Sequence, residues 1–185
     1  MDNQPLKPGD AAPNFELMDE NKNVVKLADL RGKKVMLLFY PMDFSPTCTS
    51  EQCDFGPGLV KSVEGKDTVI YGVSCDSPFT HAAFKKQYNI PYSLLADPTR
   101  KMAQAYGMWA GLEPYNCTKR GTVVIAKDGK IAAYEEVPMK EPRKLDHLAE
   151  LAPGCGEAIV RGDAQPAASS ARWSSLRGSF IGTSS

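Results

Sequence analysis

The 185-residue sequence predicts an α/β domain, and three observations carry that prediction. The runs Val35-Met36-Leu37-Leu38-Phe39-Tyr40 and Thr68-Val69-Ile70-Tyr71-Gly72-Val73-Ser74 are apolar with little alternation, as strands buried on both faces are. Each is followed by a helix-start signal, Ser45-Pro46 and Asp76-Ser77-Pro78, so strand and helix alternate and the strands are expected to pair in parallel. Further on, Thr122–Ala126 and Lys130–Tyr134 flank the turn Lys127-Asp128-Gly129 and read as an antiparallel hairpin.

In chain order, residues 6–13 are turn-rich, and Phe15–Met18 and Val24–Leu27 flank Asp19-Glu20-Asn21-Lys22-Asn23 as a first hairpin. A short turn over Leu27–Gly32 leads into the apolar strand at Val35. Pro46 suits the first position of a helix, where its missing N–H costs nothing, with Ser45 as the preceding cap. Gly56-Pro57-Gly58 is expected to interrupt that helix. After the strand at Thr68 come an amphipathic helix over Phe79–Tyr88, a short strand over Tyr92–Asp97 ending at Pro98, and a short helix over Thr99–Tyr106 stopped by Gly107. The late hairpin follows, and a helix from about Glu141 to Leu151 closes a domain spanning residues 1–152. Residues 153–185 are mostly Ala, Gly, Pro and Ser and read as a disordered tail.

Composition excludes several function classes. Lys and Arg total 22 against 22 Asp and Glu, with no basic block to meet a phosphate backbone, so nucleic acid is not an expected partner. No apolar run approaches a membrane span, and the polar start Met1-Asp2-Asn3-Gln4-Pro5 lacks a secretory pattern, which predicts a soluble cytoplasmic protein. Five cysteines without framework spacing fit a reducing compartment better than a disulfide-stapled secreted fold. Cys48 and Cys53 have a gap permitted for zinc ligands, but Cys75, Cys117, Cys155, His81 and His147 are scattered singly, so neither metal nor cofactor is expected.

The chemistry concentrates at Pro41-Met42-Asp43-Phe44-Ser45-Pro46-Thr47-Cys48-Thr49-Ser50-Glu51-Gln52-Cys53. Cys48 falls in the first turn of the predicted helix, where unpaired N–H groups and the helix dipole favour thiolate over thiol. Cys48 is therefore the candidate nucleophile. A thiol whose pKa drops from about 8.5 to about 6 gains roughly thirtyfold in thiolate fraction at neutral pH, but lower basicity returns about tenfold of that in nucleophilicity. Fast chemistry thus needs donors that orient the attacked molecule and stabilise the leaving atom. The Ser45 hydroxyl, three residues ahead, is one such donor.

Pro41, Ser45 and Cys48 together fit the pattern Pro-x-x-x-(Thr/Ser)-x-x-Cys, and the segment resembles the peroxiredoxins, in particular the peroxiredoxin Q or bacterioferritin comigratory protein branch. The resemblance covers roughly residues 6–151. It implies a thioredoxin-like fold with an N-terminal β-hairpin and a central mixed sheet flanked by helices. It also implies a thiol peroxidase acting on hydrogen peroxide and organic hydroperoxides, recycled by thioredoxin or a similar dithiol, as a monomer or dimer. Cys48 would be the peroxidatic cysteine, Ser45 a donor to peroxide, and Pro41 a shield against water. Serine replaces the commoner threonine, keeping the hydroxyl and losing a methyl that helps fix its rotamer. Arg120, in Arg120-Gly121-Thr122-Val123, matches an arginine that reaches back to the peroxidatic cysteine, with Val123 where the family has an aromatic; on its own it would read as a surface arginine at a strand end.

In the same branch a second cysteine often follows by five positions, which gives Cys53 the resolving role. Residues five apart in a helix have Cα atoms about 8–9 Å apart, beyond the roughly 7 Å that disulfides tolerate, so resolution by Cys53 requires local unwinding. Glu51 resembles a glutamate that orients the arginine, and reads equally as a first-turn acid serving the helix dipole. Trp109 and His81 read as packing residues, and Cys75 as a passive thiol or alternative resolver. Two other readings stand beside peroxidase chemistry: a thiol–disulfide oxidoreductase, which usually spaces its pair as Cys-x-x-Cys, and a redox-gated interaction protein.

Overall fold

A computed structural model describes residues 3–63, 66–146 and 148. The predicted tail, the end of the closing helix, Cys155 and His147 lie outside the described residues. Among the described residues seven strands form one mixed sheet: β1 (Glu16–Asp19), β2 (Val24–Lys26), β3 (Lys34–Phe39), β4 (Thr68–Ser74), β5 (Ser93–Ala96), β6 (Arg120–Ile125) and β7 (Ile131–Val137), in the order β2-β1-β5-β4-β3-β6-β7. Strands β3, β4 and β5 are parallel neighbours, while β1 and β6 join that block antiparallel. The N-terminal hairpin pairs Glu16 with Lys26 and Met18 with Val24, and Leu27–Leu30 forms a short 3₁₀ turn leading to β3.

Helices α1 (Pro46–Val63), α2 (Pro78–Tyr88) and α3 (Lys101–Ala105) fill the connections. The start of α2 follows the sequence signal: Ser77 caps it by accepting from Thr80 N–H, Pro78 takes the first turn, and Asn89 ends it in the left-handed region. Two apolar clusters flank the sheet. Met36, Leu38, Tyr40, Ile70 and Leu94 pack with Cys48 and Leu59 of α1 and Phe84 of α2, and Val35, Leu37, Phe39, Val73 and Leu95 pack with Met102, Tyr106 and Met108.

Two expectations need correction. The first helix runs unbroken through Gly56-Pro57-Gly58. Proline at position 57 offers no N–H to the carbonyl of Cys53, a defect that costs up to about 3 kcal/mol, but burial of Leu59 and Val63 farther along holds the helix. Gly58 serves packing, since a Cβ there would stand 2.8 Å from Leu145 Cδ2. The closing helix starts later than Glu141, with helical residues at 145, 146 and 148, because Arg143 just before it is committed to an ion pair inside the protein.

Candidate active site

Strand β3 ends beneath the loop 41–45, and α1 begins at Pro46 directly after it. The Thr49 N–H donates to the Ser45 carbonyl at 2.9 Å, which makes Ser45 the residue before the first turn and places Cys48 third within it. Phe44 holds a left-handed backbone, φ 60°, at a cost on the order of 1–2 kcal/mol for a side chain of this kind. Its ring packs on Phe84 and Tyr88 of α2, with centroids 5.0 and 6.2 Å away. The loop is thus bent sharply and braced on the neighbouring helix.

Cys48 is completely buried, and its Sγ accepts a hydrogen bond from Arg120 Nη2 at 3.3 Å. Arg120 opens β6, the antiparallel neighbour of β3, and is only 1% exposed, so it is no surface arginine. Its Nη1 donates to Glu51 Oε2 at 2.5 Å, and Nε and Nη2 both donate to the Met139 carbonyl at 3.2 Å. Glu51 is fully buried one turn after Cys48. It also accepts from Arg143 through the backbone N–H at 2.7 Å, Nε at 2.9 Å and Nη2 at 3.0 Å. Burial alone would raise the Glu51 carboxyl, but hydrogen bonds and charge from Arg143, with the charge of Arg120, override it and hold the group below the ordinary carboxylate range. The structure therefore favours the arginine-orienting reading of Glu51 over a solvated first-turn acid.

Arg143 is the residue that sequence reasoning missed. It donates to the Gly121 carbonyl at 2.6 Å and to Thr122 Oγ1 at 3.1 Å, and so ties the start of the closing helix to β6 beside Arg120. Its partner Glu51 lies 92 positions away, and no local pattern announces such a pair. Gly121 permits the tight β6–β7 approach here, because any Cβ would collide with the Glu135 carbonyl.

Ser45 and Pro41 flank the loop, both partly buried, and Pro41 also borders a cavity of about 110 Å³ shared with Met42, Cys75, Asp76, Arg100, Tyr115, Asn116 and Cys117. Cys53 is not brought to Cys48: it is exposed on α1 while Cys48 is buried, and both are free thiols. Among the described residues no three His, Cys, Asp or Glu side chains converge as a metal set. Burial pushes the Cys75 thiol up to about 12, helped by the charge of Asp97, and burial raises the Cys117 thiol as well. Both stay protonated near neutrality, which suits the passive reading of Cys75. Trp109 bridges to Thr118 and lies under the Arg100 guanidinium at 5.4 Å, a packing role. His81 is fully buried and hydrogen-bonded to Asp43. No helix among the described residues is long and apolar enough to cross a membrane.

The chain is similar to known proteins over most of its length. Residues 8–134 match the model of the AhpC/TSA family. Peroxiredoxin Bcp of Bacillus subtilis is 40% identical over 150 residues, covering 77% of this chain and 90% of that one. A chloroplastic peroxiredoxin Q of Gentiana triflora is 37% identical over 122 residues, 62% of this chain and 56% of that one. Among solved structures, peroxidoxin BcpB of Mycobacterium tuberculosis superposes with a TM-score of 0.68 at 29% identity, covering 83% of this chain and 98% of that one.

Proposed function

The chain belongs to the AhpC/TSA family and is a thiol-dependent peroxidase of the peroxiredoxin type, and we propose that Cys48 is the residue that peroxide oxidises. The observation that carries this reading is the 3.3 Å bond from Arg120 Nη2 to Cys48 Sγ, with both residues buried away from bulk water. A fixed guanidinium stabilises the thiolate before reaction and offers N–H donors to peroxide oxygens during it, with no reorganisation of solvent. The Cys48 thiolate attacks the distal oxygen of the hydroperoxide, the O–O bond breaks, and the departing alkoxide or hydroxide takes up a proton. The sulfur leaves as a sulfenic acid. Ser45 and Pro41 serve this step as hydroxyl donor and water shield.

Resolution follows by Cys53. Its sulfur attacks the sulfenic sulfur, the S–S bond forms and water departs, after which a thioredoxin-like dithiol reduces the disulfide by exchange. The buried and exposed locations of the two thiols require the first turns of α1 to unwind before the sulfurs meet. The same separation counts against a thiol–disulfide oxidoreductase, which needs both sulfurs within reach in the folded state. One equivalent of hydrogen peroxide added to fully reduced protein, quenched within a second and mapped by intact mass and peptide analysis, tests the scheme. Loss of a hydrogen pair with a Cys48–Cys53 link is the expected result. Sulfinic acid on Cys48 alone removes Cys53 as resolver, and unmodified Cys48 removes the peroxidatic assignment.

A further inference from the structure

Beneath the loop 41–45, on the side of α2, lies a second buried polar cluster that the scheme above does not use. His81 of α2 is fully buried, with Nε2 3.2 Å from the Leu95 carbonyl and Nδ1 2.8 Å from Asp43 Oδ2. Asp43 Oδ1 accepts from the Tyr40 hydroxyl at 2.7 Å, and the Asp43 backbone N–H donates to Asp76 Oδ2 at 2.9 Å. Asp76 accepts in addition from the Ser74 hydroxyl at 2.6 Å. The end of β3, the end of β4 and α2 all converge on Asp43.

Proton counting defines the state of this cluster. A carbonyl is only an acceptor, so His81 Nε2 must carry a hydrogen to bond Leu95. Its Nδ1 then faces a carboxylate oxygen, and that contact is attractive only with one proton between them, whether formally on the ring or on Asp43. Burial, with the charge of Asp43, holds the Tyr40 phenol well above its ordinary value, so Tyr40 keeps its hydrogen and donates. Burial and the neighbouring Asp43 charge also push the Asp76 carboxyl up, which marks how little room this cluster has for a further negative charge.

The mechanical consequence falls on the loop. Asp43 precedes Phe44, which is held in its left-handed conformation, and Phe44 precedes Ser45, whose carbonyl starts α1. The placement of the Ser45 hydroxyl and the Pro41 ring relative to Cys48 therefore depends on where Asp43 is pinned.

We propose that Asp43 and His81 are positioning residues for peroxide reduction: their shared proton ties the loop bearing Pro41 and Ser45 to α2 and sets its geometry over Cys48. This inference rests on the peroxidatic reading of Cys48. A reacting group misplaced by about 1 Å can cost on the order of a hundredfold in rate.

The test compares Asp43→Ala with Asp43→Asn, each measured as the second-order rate of hydrogen peroxide reaction per titratable Cys48 thiol of folded protein. Asp43→Ala removes the two side-chain bonds that Asp43 makes, to His81 Nδ1 and to the Tyr40 hydroxyl, and is expected to lower that rate at least tenfold. Asp43→Asn supplies an amide N–H to His81 Nδ1 and a carbonyl to the Tyr40 hydroxyl, and is expected to recover the rate to within about threefold of the parent. A folded Asp43→Ala protein reacting within twofold of the parent overturns the proposal, as does an Asp43→Asn protein no faster than Asp43→Ala. Should Asp43→Ala fail to fold, ¹⁵N spectra of the His81 ring in the reduced parent decide: Nε2 is expected to be protonated with Nδ1 in a hydrogen bond, and an unprotonated Nε2 overturns the tie. An inert parent protein would instead indict the peroxidatic reading itself.

Discussion

Replacing Glu51 by glutamine tests the buried ion cluster most directly. Both Glu51 oxygens face donors only: Oε1 takes the Arg143 backbone N–H and Nε, and Oε2 takes Arg120 Nη1 and Arg143 Nη2. An amide in this position must turn its NH₂ toward one of those donor sets, so about half the bonds become clashes between donors, and the guanidiniums lose their common anion. Breaking a buried pair from one side costs about 3–5 kcal/mol, a large part of the roughly 5–15 kcal/mol that holds a domain folded. The effect carries a pH signature. The Glu51 carboxyl is held below its ordinary range in the folded protein, so its stabilisation is fully present above the ordinary carboxylate range and is lost as pH falls through the depressed value. Urea unfolding of reduced parent and Glu51→Gln proteins, followed from neutral to acid pH, should show a wide gap that narrows on acidification. A neutral-pH gap under about 1 kcal/mol, or one that stays constant into acid, would refute the view that the ionised carboxylate organises this cluster.

Three further outcomes follow from the same geometry. Arg120→Met, similar in bulk and without donors, is expected to slow peroxide oxidation of Cys48 by about 100- to 1,000-fold, and an unchanged second-order rate in stopped-flow would remove Arg120 from the reaction. Cys53→Ser should leave the first oxidation within twofold of the parent yet let excess peroxide drive Cys48 to sulfinic acid; mass spectra lacking that species would show that another group resolves it. Pro57→Ala returns an N–H to the Cys53 carbonyl and should strengthen α1 by up to about 3 kcal/mol, so disulfide formation slows and the sulfinic fraction rises, whereas faster disulfide formation would contradict unwinding as the gate.

The parts of this fold that local physics decides were legible in the sequence. Val35–Tyr40 announced a buried strand by its unbroken apolar character, Ser77-Pro78 announced a helix by cap and first-turn chemistry, and Pro46 did the same for α1. Cys48 in the first turn followed from counting. What stayed hidden depends on partners far apart in the chain. Gly56-Pro57-Gly58 carries local signals for a break, yet its fate is decided by Leu59 and Val63 in the core and by Leu145 pressing against Gly58. Arg143 and His81 read as ordinary residues, because nothing within a few positions reveals that one meets Glu51 and the other meets Asp43. Arg120 became readable only beside the cysteine motif. A lone arginine at a strand end has no local feature that separates a buried ligand of sulfur from a solvated charge.

The contact between Arg120 and Cys48 has a further consequence for timing. In the reduced protein that guanidinium lies between the Glu51 carboxylate and the Cys48 sulfur, which as a thiolate is its second anion. Under the peroxidatic role proposed for Cys48, peroxide would convert a thiolate there into a neutral sulfenic acid, and one of the two electrostatic ties that fasten the start of α1 to β6 would go slack in the same event. On that proposal oxidation would act as its own release, the helix being gripped while the sulfur is ready to react and let go once it has reacted. A neutral Cys48→Ser protein should accordingly exchange the first-turn amides of α1 faster than an anionic Cys48→Asp protein. Equal exchange in the two would separate the chemistry from the release.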